Sequence, residues 1–149
     1  MLKAACLTLS ALAFATIAYT QDPPASSKPM KFETTFAFHV GDHEVPAGAY
    51  VAEWKSNGFT YVHSNGTGGG GAFVLSAVGA RTENGIKPAG PVLVFNKYGD
   101  VYYLSQLWQG NGADGIQAVK TKTERERVRS VVKIANGNAQ RVAIQASIH

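Results

Sequence analysis

Residues 32–40 read Phe-Glu-Thr-Thr-Phe-Ala-Phe-His-Val, and their rhythm decides the fold class. Phe32, Thr34, Phe36, Phe38 and Val40 alternate with Glu33, Thr35, Ala37 and His39. A period of two places one set on each side of an extended chain, so the segment is expected to be a β-strand with one buried face. Gly41-Asp42 and then Val45-Pro46-Ala47-Gly48 interrupt it, and a proline followed two residues later by glycine suits a type I turn.

The same grammar repeats downstream. AYVAEWK (49–55) and FTYVHS (59–64) flank Ser56-Asn57-Gly58, where Asn-Gly accepts the positive φ of a tight hairpin. The glycine-rich NGTGGGG precedes a further strand candidate, AFVLSAV (72–78), and RVAIQASI (141–148) alternates once more. Between Thr121 and Ala135 the period changes. Thr121 as N-cap places Glu124 at the third helical position, a capping box, and Val128, Val131, Val132 and Ala135 recur on one helix face. A helix is therefore predicted near 122–135, stopped by Asn136-Gly137. The fold class that follows is mainly β: an antiparallel barrel or sandwich of seven to eight strands with one late α-helix.

The segment VFNKYGDVYYLSQLW (94–108) is the most aromatic of these hairpins, its turn centred on Tyr98-Gly99-Asp100. Strict alternation sends Tyr102, Leu104, Gln106 and Trp108 one way and Val101, Tyr103, Ser105 and Leu107 the other. Neither face is wholly polar, as for a strand covered on its outer side by the helix or a partner. The first reading is a core hairpin. A cavity lined by Tyr102, Tyr103 and Trp108, holding a small apolar ligand, is the functional alternative.

Of the 149 residues, the first twenty have the layout of a secretory signal peptide. Lys3 gives a positive start, an apolar run follows from Ala4 to Ala18, and small residues at Ala18 and Thr20 precede a cut before Gln21. That run is shorter than the ~20 residues of a membrane-spanning helix, so no transmembrane segment is expected after cleavage. The single cysteine, Cys6, lies within the leader, leaving no disulfide for an exported protein bound for the periplasm or the medium. Residues 21–31 read as a flexible Pro/Ser-rich leader, and 32–149 as one β-rich domain. Basicity is concentrated in the helix region. Lys122, Arg125, Arg129 and Lys133 form one stripe at helical spacing, either a solvated face or a docking stripe for an anionic surface.

Enzyme signatures do not assemble. His39, Asp42, His43 and Glu44 are near in sequence but straddle a glycine turn, so they read as a polar strand end and no metal site is assigned. GTGGGG (66–71) fits G-x-G-x-x-G formally, yet a strand pattern follows where dinucleotide binding needs a helix. No serine occupies a G-x-S-x-G elbow, and the carboxylates are scattered among turns and strand edges. No catalytic residue and no cofactor are assigned, and nucleic acid is not an expected partner.

Three blocks, FAFHVGDHEVPAGAY (36–50), VFNKYGDVYYLSQLW (94–108) and KTKTERE (120–126), together resemble a family of small exported bacterial proteins. Its pattern runs F-x-F-x-V-G-x-x-x-x-P-A-G-x-Y, V-F-x-x-Y-G-D-x-Y-x-L-S-x-x-W and K-[ST]-x-x-E-R-E. The resemblance implies export and a β-rich domain. No activity is assigned to that family, so it carries over no site residue. The expectation is a non-enzymatic exported β-domain with a binding, envelope or extracellular accessory role. Its alternatives are a lipocalin-like carrier and a self-assembling surface subunit.

Overall fold

The computed structural model describes residues 27–66, 70–82, 84–135 and 139–148, with side chains of 133–135 excepted. The proposed signal peptide, residues 21–26 of the 21–31 leader and the Asn136-Gly137 stop lie outside the described residues. The rest of that leader is not the flexible chain its composition suggests: Ser27 exchanges hydrogen bonds with Trp54, and Met30, fully buried, opens β1. The strands in chain order are β1 Met30–Thr34, β2 Phe38–Val40, β3 His43–Val45, β4 Gly48–Lys55, β5 Phe59–Ser64, β6 Gly71–Val78, β7 Val92–Tyr98, β8 Val101–Trp108 and β9 Ile116–Ala118. Helix α1, Lys122–Ala135, follows, then β10 Gln140–Gln145 and β11 Ser147–Ile148. Among the described residues the protein is mainly β with one helix, as the alternation predicts.

The alternation of residues 32–40 survives a change of partner. Phe32 and Thr34 are buried from β1, which pairs with β4, whereas Phe38 and Val40 are buried from β2, which pairs with β3 and β8. A bend at Thr35-Phe36 moves the chain from one part of the sheet to another while the same side chains keep facing inward. The far end of the chain does likewise: β10 pairs with β7, β11 with β1, and only Ala146 separates them. The main hydrogen-bonded path, β10-β7-β8-β9-β6-β5-β4-β1-β11, thus ends on two consecutive pieces of chain. Among the described residues these two ends do not pair with each other, so the sheet is not a closed barrel.

Three features differ from the expected antiparallel set of seven or eight strands. The sheet has eleven strands, because segments of two or three residues such as β3, β9 and β11 are held by neighbours rather than by any sequence pattern of their own. It is mixed, since β2 meets β8 in parallel at His39 and Tyr103. Finally, the pairing of β7 with β8 steps from Val94–Gln106 to Phe95–Leu104, leaving Ser105 as an extra residue. A bulge of this kind reverses the sidedness of everything beyond it. Leu104 and Leu107 therefore both join the core, and the strict sorting of the second arm fails after Ser105.

The core is aromatic. Phe38 meets Phe95 and Tyr50 edge-on, with ring centroids 5.2 and 5.6 Å apart, and Phe32 lies 6.0 Å from both Phe38 and Tyr50. Such pairs add ~0.5–1.5 kcal/mol each beyond the area they bury. The β7–β8 turn is a two-residue hairpin, Gly99-Asp100, between Tyr98 and Val101. Gly99 has φ +64, the first central position at which such a turn demands glycine.

Helix α1 starts as predicted. The Glu124 amide donates to Thr121 Oγ1 at 3.2 Å, the N-cap contact. The Glu124 carboxylate turns inward: Tyr98 Oη donates to its Oε1 at 3.0 Å and Asn96 Nδ2 at 3.4 Å. This buried polar contact holds the first turn of the helix to β7. Further along, Val128 and Val131 are partly covered, while Val132 is 51% exposed. No helix among the described residues is long and apolar enough to cross a membrane.

Candidate functional site: a groove along strand β6

The aromatic side chains singled out in β8 do not assemble into one wall. Tyr102 packs on the core side, stacked on Phe36 at 3.9 Å, with Lys97 Nζ 5.4 Å from its centroid. Tyr103, 2% exposed, lies on the other side against His39 and Tyr98. Trp108 is equally buried and donates its indole N–H to Gln106 Oε1 at 3.0 Å. All three serve packing, and the bulge at Ser105 is why Tyr102 and Trp108 no longer share a face.

The basic stripe is partly spent within the helix. Lys122, Arg125 and Arg129 are exposed, and the Lys133 side chain lies outside the described residues. Arg125 folds back to donate to the Lys120 carbonyl at 2.7 Å, and Lys122 stands 3.8 Å from Glu126. Glu126 thus pairs with Lys122, one turn before it on the helix. His39 Nε2 is 3.8 Å from Glu44 Oε2, and no group of three potential metal ligands occurs among the described residues.

A different place has the character of a site, and it lies along β6. This strand buries Ala72, Val74 and Ser76 and turns Phe73, Leu75 and Ala77 outward. Phe73 is 59% and Leu75 50% exposed. Across the β5 pairing, Phe59 stands opposite Leu75 and Tyr61 opposite Phe73. Phe59 and Phe73 meet edge-on at 5.6 Å, and Val119, 43% exposed, extends the apolar surface beyond the strand.

Three concavities lie along β5 and β6, two of them lined by these side chains. One, of about 420 Å³, is lined by Lys55, Asn57, Phe59, Tyr61 and Phe73. A second, of about 290 Å³, shares Phe59 and Phe73 and reaches Val119, Lys120 and the hairpin tip at Gly41-Asp42. The third, of about 350 Å³, shares His43 with the second. It opens between His43–Val45 with Pro46 on one rim and Gly70, Gly71 and Ala72 on the other, over Tyr50 and Val62. Their volumes are close to those of small-molecule sites, and the shared residues set them side by side along β6 as a broken groove.

The third concavity is a seam in the sheet. The space between β6 and β8 is filled by β9 at one end and by the β2–β3 hairpin at the other, because β8 pairs with β9 at Gln106 and Leu107 but with β2 at Tyr103. The tip of that hairpin rests on β6: a Cβ on Gly41 would lie 3.3 Å from the Phe73 carbonyl oxygen. Beyond the tip, β3 and β6 have no pairing among the described residues. The tip is pinned from the helix side as well. The Thr121 hydroxyl bonds the Asp42 carboxyl and holds it below the usual carboxylate range, against the effect of burial; Thr123, His39 and His43 add to the lowering.

Sequence reading found the strand but missed the groove. The available signal was that residues 72–78 are apolar at both parities, the mark of a strand with two faces to cover. No protein-family model, curated protein or solved structure matches this chain.

Proposed function

We propose that this chain is an exported, non-enzymatic β-domain that binds an extended partner along the β6 groove. The carrying observation is that β6 spends one face on the core and leaves Phe73 and Leu75 at least half exposed on the other, beside Phe59 and Val119. Contiguous apolar surface of this kind marks interaction sites. The lining is aromatic, aliphatic and backbone, groups suited to holding a partner rather than moving protons. Asp42, the carboxylate at its edge, is engaged by Thr121 and Thr123. Two segments that change partners at a bend favour the sandwich form of the fold over the barrel.

The test is quantitative binding of the exported protein to partners recovered from the envelope and then purified, beside a Phe73→Ser, Leu75→Ser variant. Loss of at least about tenfold in affinity with unchanged melting supports the groove, in line with the weight of apolar anchors at interfaces. Unchanged affinity refutes it.

A carrier of a small apolar ligand is the second reading, favoured by the floor of Tyr50 and Val62 beneath the seam. Native mass spectrometry of protein purified from its host separates the two, since a carrier retains a small apolar molecule. Docking to an anionic surface has less support, because Lys122 already pairs with Glu126 on the helix and Arg125 with the Lys120 carbonyl just before it.

A further inference from the structure

Whatever lies in the groove meets more than side chains, because the seam exposes backbone. The Ser76 amide donates to the Gly58 carbonyl at 2.8 Å, so Ser76, Val74 and Ala72 turn their backbone groups toward β5. Gly71, Phe73 and Leu75, of opposite parity, turn theirs away. The Val119 amide takes the Leu75 carbonyl at 2.7 Å, which confirms that direction and ends the pairing there. Gly41 covers the Phe73 carbonyl. The Phe73 amide and both backbone groups of Gly71 then face the seam, and no described strand pairs with them.

The opposite rim matches. Val40 and His43 flank the two-residue turn of the hairpin and exchange its hydrogen bonds, so Glu44 directs its amide and carbonyl away from β2, into the seam. Since β2 is parallel to β8, and both β8 and β6 are antiparallel to β9, β3 runs antiparallel to β6. Two strand edges thus border one cleft of about 350 Å³, joined at the hairpin tip and open toward Gly70 and Pro46.

We propose that this seam accepts an extended peptide segment of a partner protein, added as a strand to the free edge of β6 at Gly71 and Phe73. The inference rests on the groove reading above and specifies its ligand class. Unpaired strand edges are templates for strand addition, and most proteins cover or charge them. Here the edge carries glycine, alanine and phenylalanine. A side chain pointing inward from the added strand meets Tyr50 and Val62; one pointing outward continues the row of Phe73 and Tyr61. A second folded copy is disfavoured as occupant, because the β2–β3 hairpin stands beside the edge and would meet the flank of an approaching sheet. A single extended strand has no such flank. A polysaccharide would use the aromatic face but has no periodic amide and carbonyl to match the edge.

The experiment selects a phage-displayed random dodecapeptide library on the exported protein and remakes the enriched sequences as synthetic peptides. Each is also made with N-methyl groups at alternate residues. Strand addition predicts period-two consensus sequences, slowed hydrogen exchange at the Gly71 and Phe73 amides on binding, and at least about tenfold weaker binding of one of the two N-methylated registers. Three results overturn it: no enrichment, equal binding of both methylated forms, or binding without protection at Gly71 and Phe73. Phe73→Ser separates the two levels of the argument. Peptides that lose affinity for this variant but ignore N-methylation leave the groove standing and remove strand addition. Peptides indifferent to both remove the groove too.

Discussion

Tyr98 Oη donates to Glu124 Oε1 at 3.0 Å, linking the end of β7 to the first turn of α1 through a contact buried at both ends. Burial, and then the negative charge of Glu124, hold the Tyr98 phenol well above the usual tyrosine range. A phenol whose folded-state pKa is raised contributes stability that is whole below its unfolded value of about 10 and is lost as pH climbs beyond it. Tyr98→Phe is expected to cost ~1.5–3 kcal/mol, because it leaves a buried carboxylate with only Asn96. The wild-type protein should melt progressively earlier above about pH 10, and Tyr98→Phe should show less of that alkaline loss. Thermal melts of both proteins across that range decide the matter, and parallel alkaline profiles would show the contact to be absent in solution.

Asp42 provides the acid counterpart. Its carboxyl is held below the usual range chiefly by the Thr121 hydroxyl, with burial opposing and Thr123, His39 and His43 assisting. A lowered folded-state pKa means stability present above the unfolded value of about 4 and lost as pH falls through the folded one. The contact is largely exposed, so the effect on melting is expected to be small. Its local effect is larger, because Asp42 pins the hairpin tip that borders the seam. Hydrogen exchange at Val40 and His43 should quicken on acidification in wild type, and already be quick at neutral pH in Asp42→Ala. Identical exchange in the two proteins at neutral pH would contradict the pin.

How much of this was legible in the sequence depends on whether the determinant was local. Residues 32–40 announce their inward face whatever they pair with, so their alternation holds across a bend and a change of partner. Thr121 and Glu124 sit three apart, and the Thr121 half of the capping box forms as the spacing requires, whereas the Glu124 carboxylate goes to Tyr98 and Asn96 instead of back to the Thr121 amide. Ser105 has no such signature: its bulge comes from fitting β8 against β7, and it is enough to separate Tyr102 from Trp108. The groove was less legible still. It depends on which edge of β6 remains unpaired after β9 and the β2–β3 hairpin have divided the space between β6 and β8. Only the two-faced apolar pattern of residues 72–78 hinted at it.

The β7–β8 turn offers a direct check of backbone geometry. Gly99 has φ +64 and no heavy atom near the place a Cβ would occupy, so the penalty of substitution is conformational and not a clash. Gly99→Val is expected to cost ~1–3 kcal/mol, since a β-branched residue is most strained at positive φ. Arg129→Ala, on the exposed side of α1, should change stability by less than ~0.5 kcal/mol. Denaturant titration of both variants measures this, and equal midpoints for Gly99→Val and wild type would place the turn elsewhere.

Thr60 tests the core from the opposite direction, by a change expected to stabilise. It lies on the buried face of β5, opposite Trp54 on β4 and Val74 on β6, and is fully buried. Its Oγ1 has no hydrogen-bond partner among the described residues. A buried hydroxyl without a partner forfeits ~1–3 kcal/mol of solvation that folding does not return. Valine has nearly the same shape, keeps the β-branch that suits a strand, and replaces the hydroxyl with a methyl that packs in the same space. Thr60→Val should therefore raise stability by ~1 kcal/mol, read as a higher denaturant midpoint with an unchanged slope. Thr60→Ser removes the methyl, keeps the hydroxyl and should destabilise. If valine weakens the fold as much as serine does, the hydroxyl has a partner in solution, and this part of the core is more polar than its lining of Trp54, Val62 and Val74 suggests.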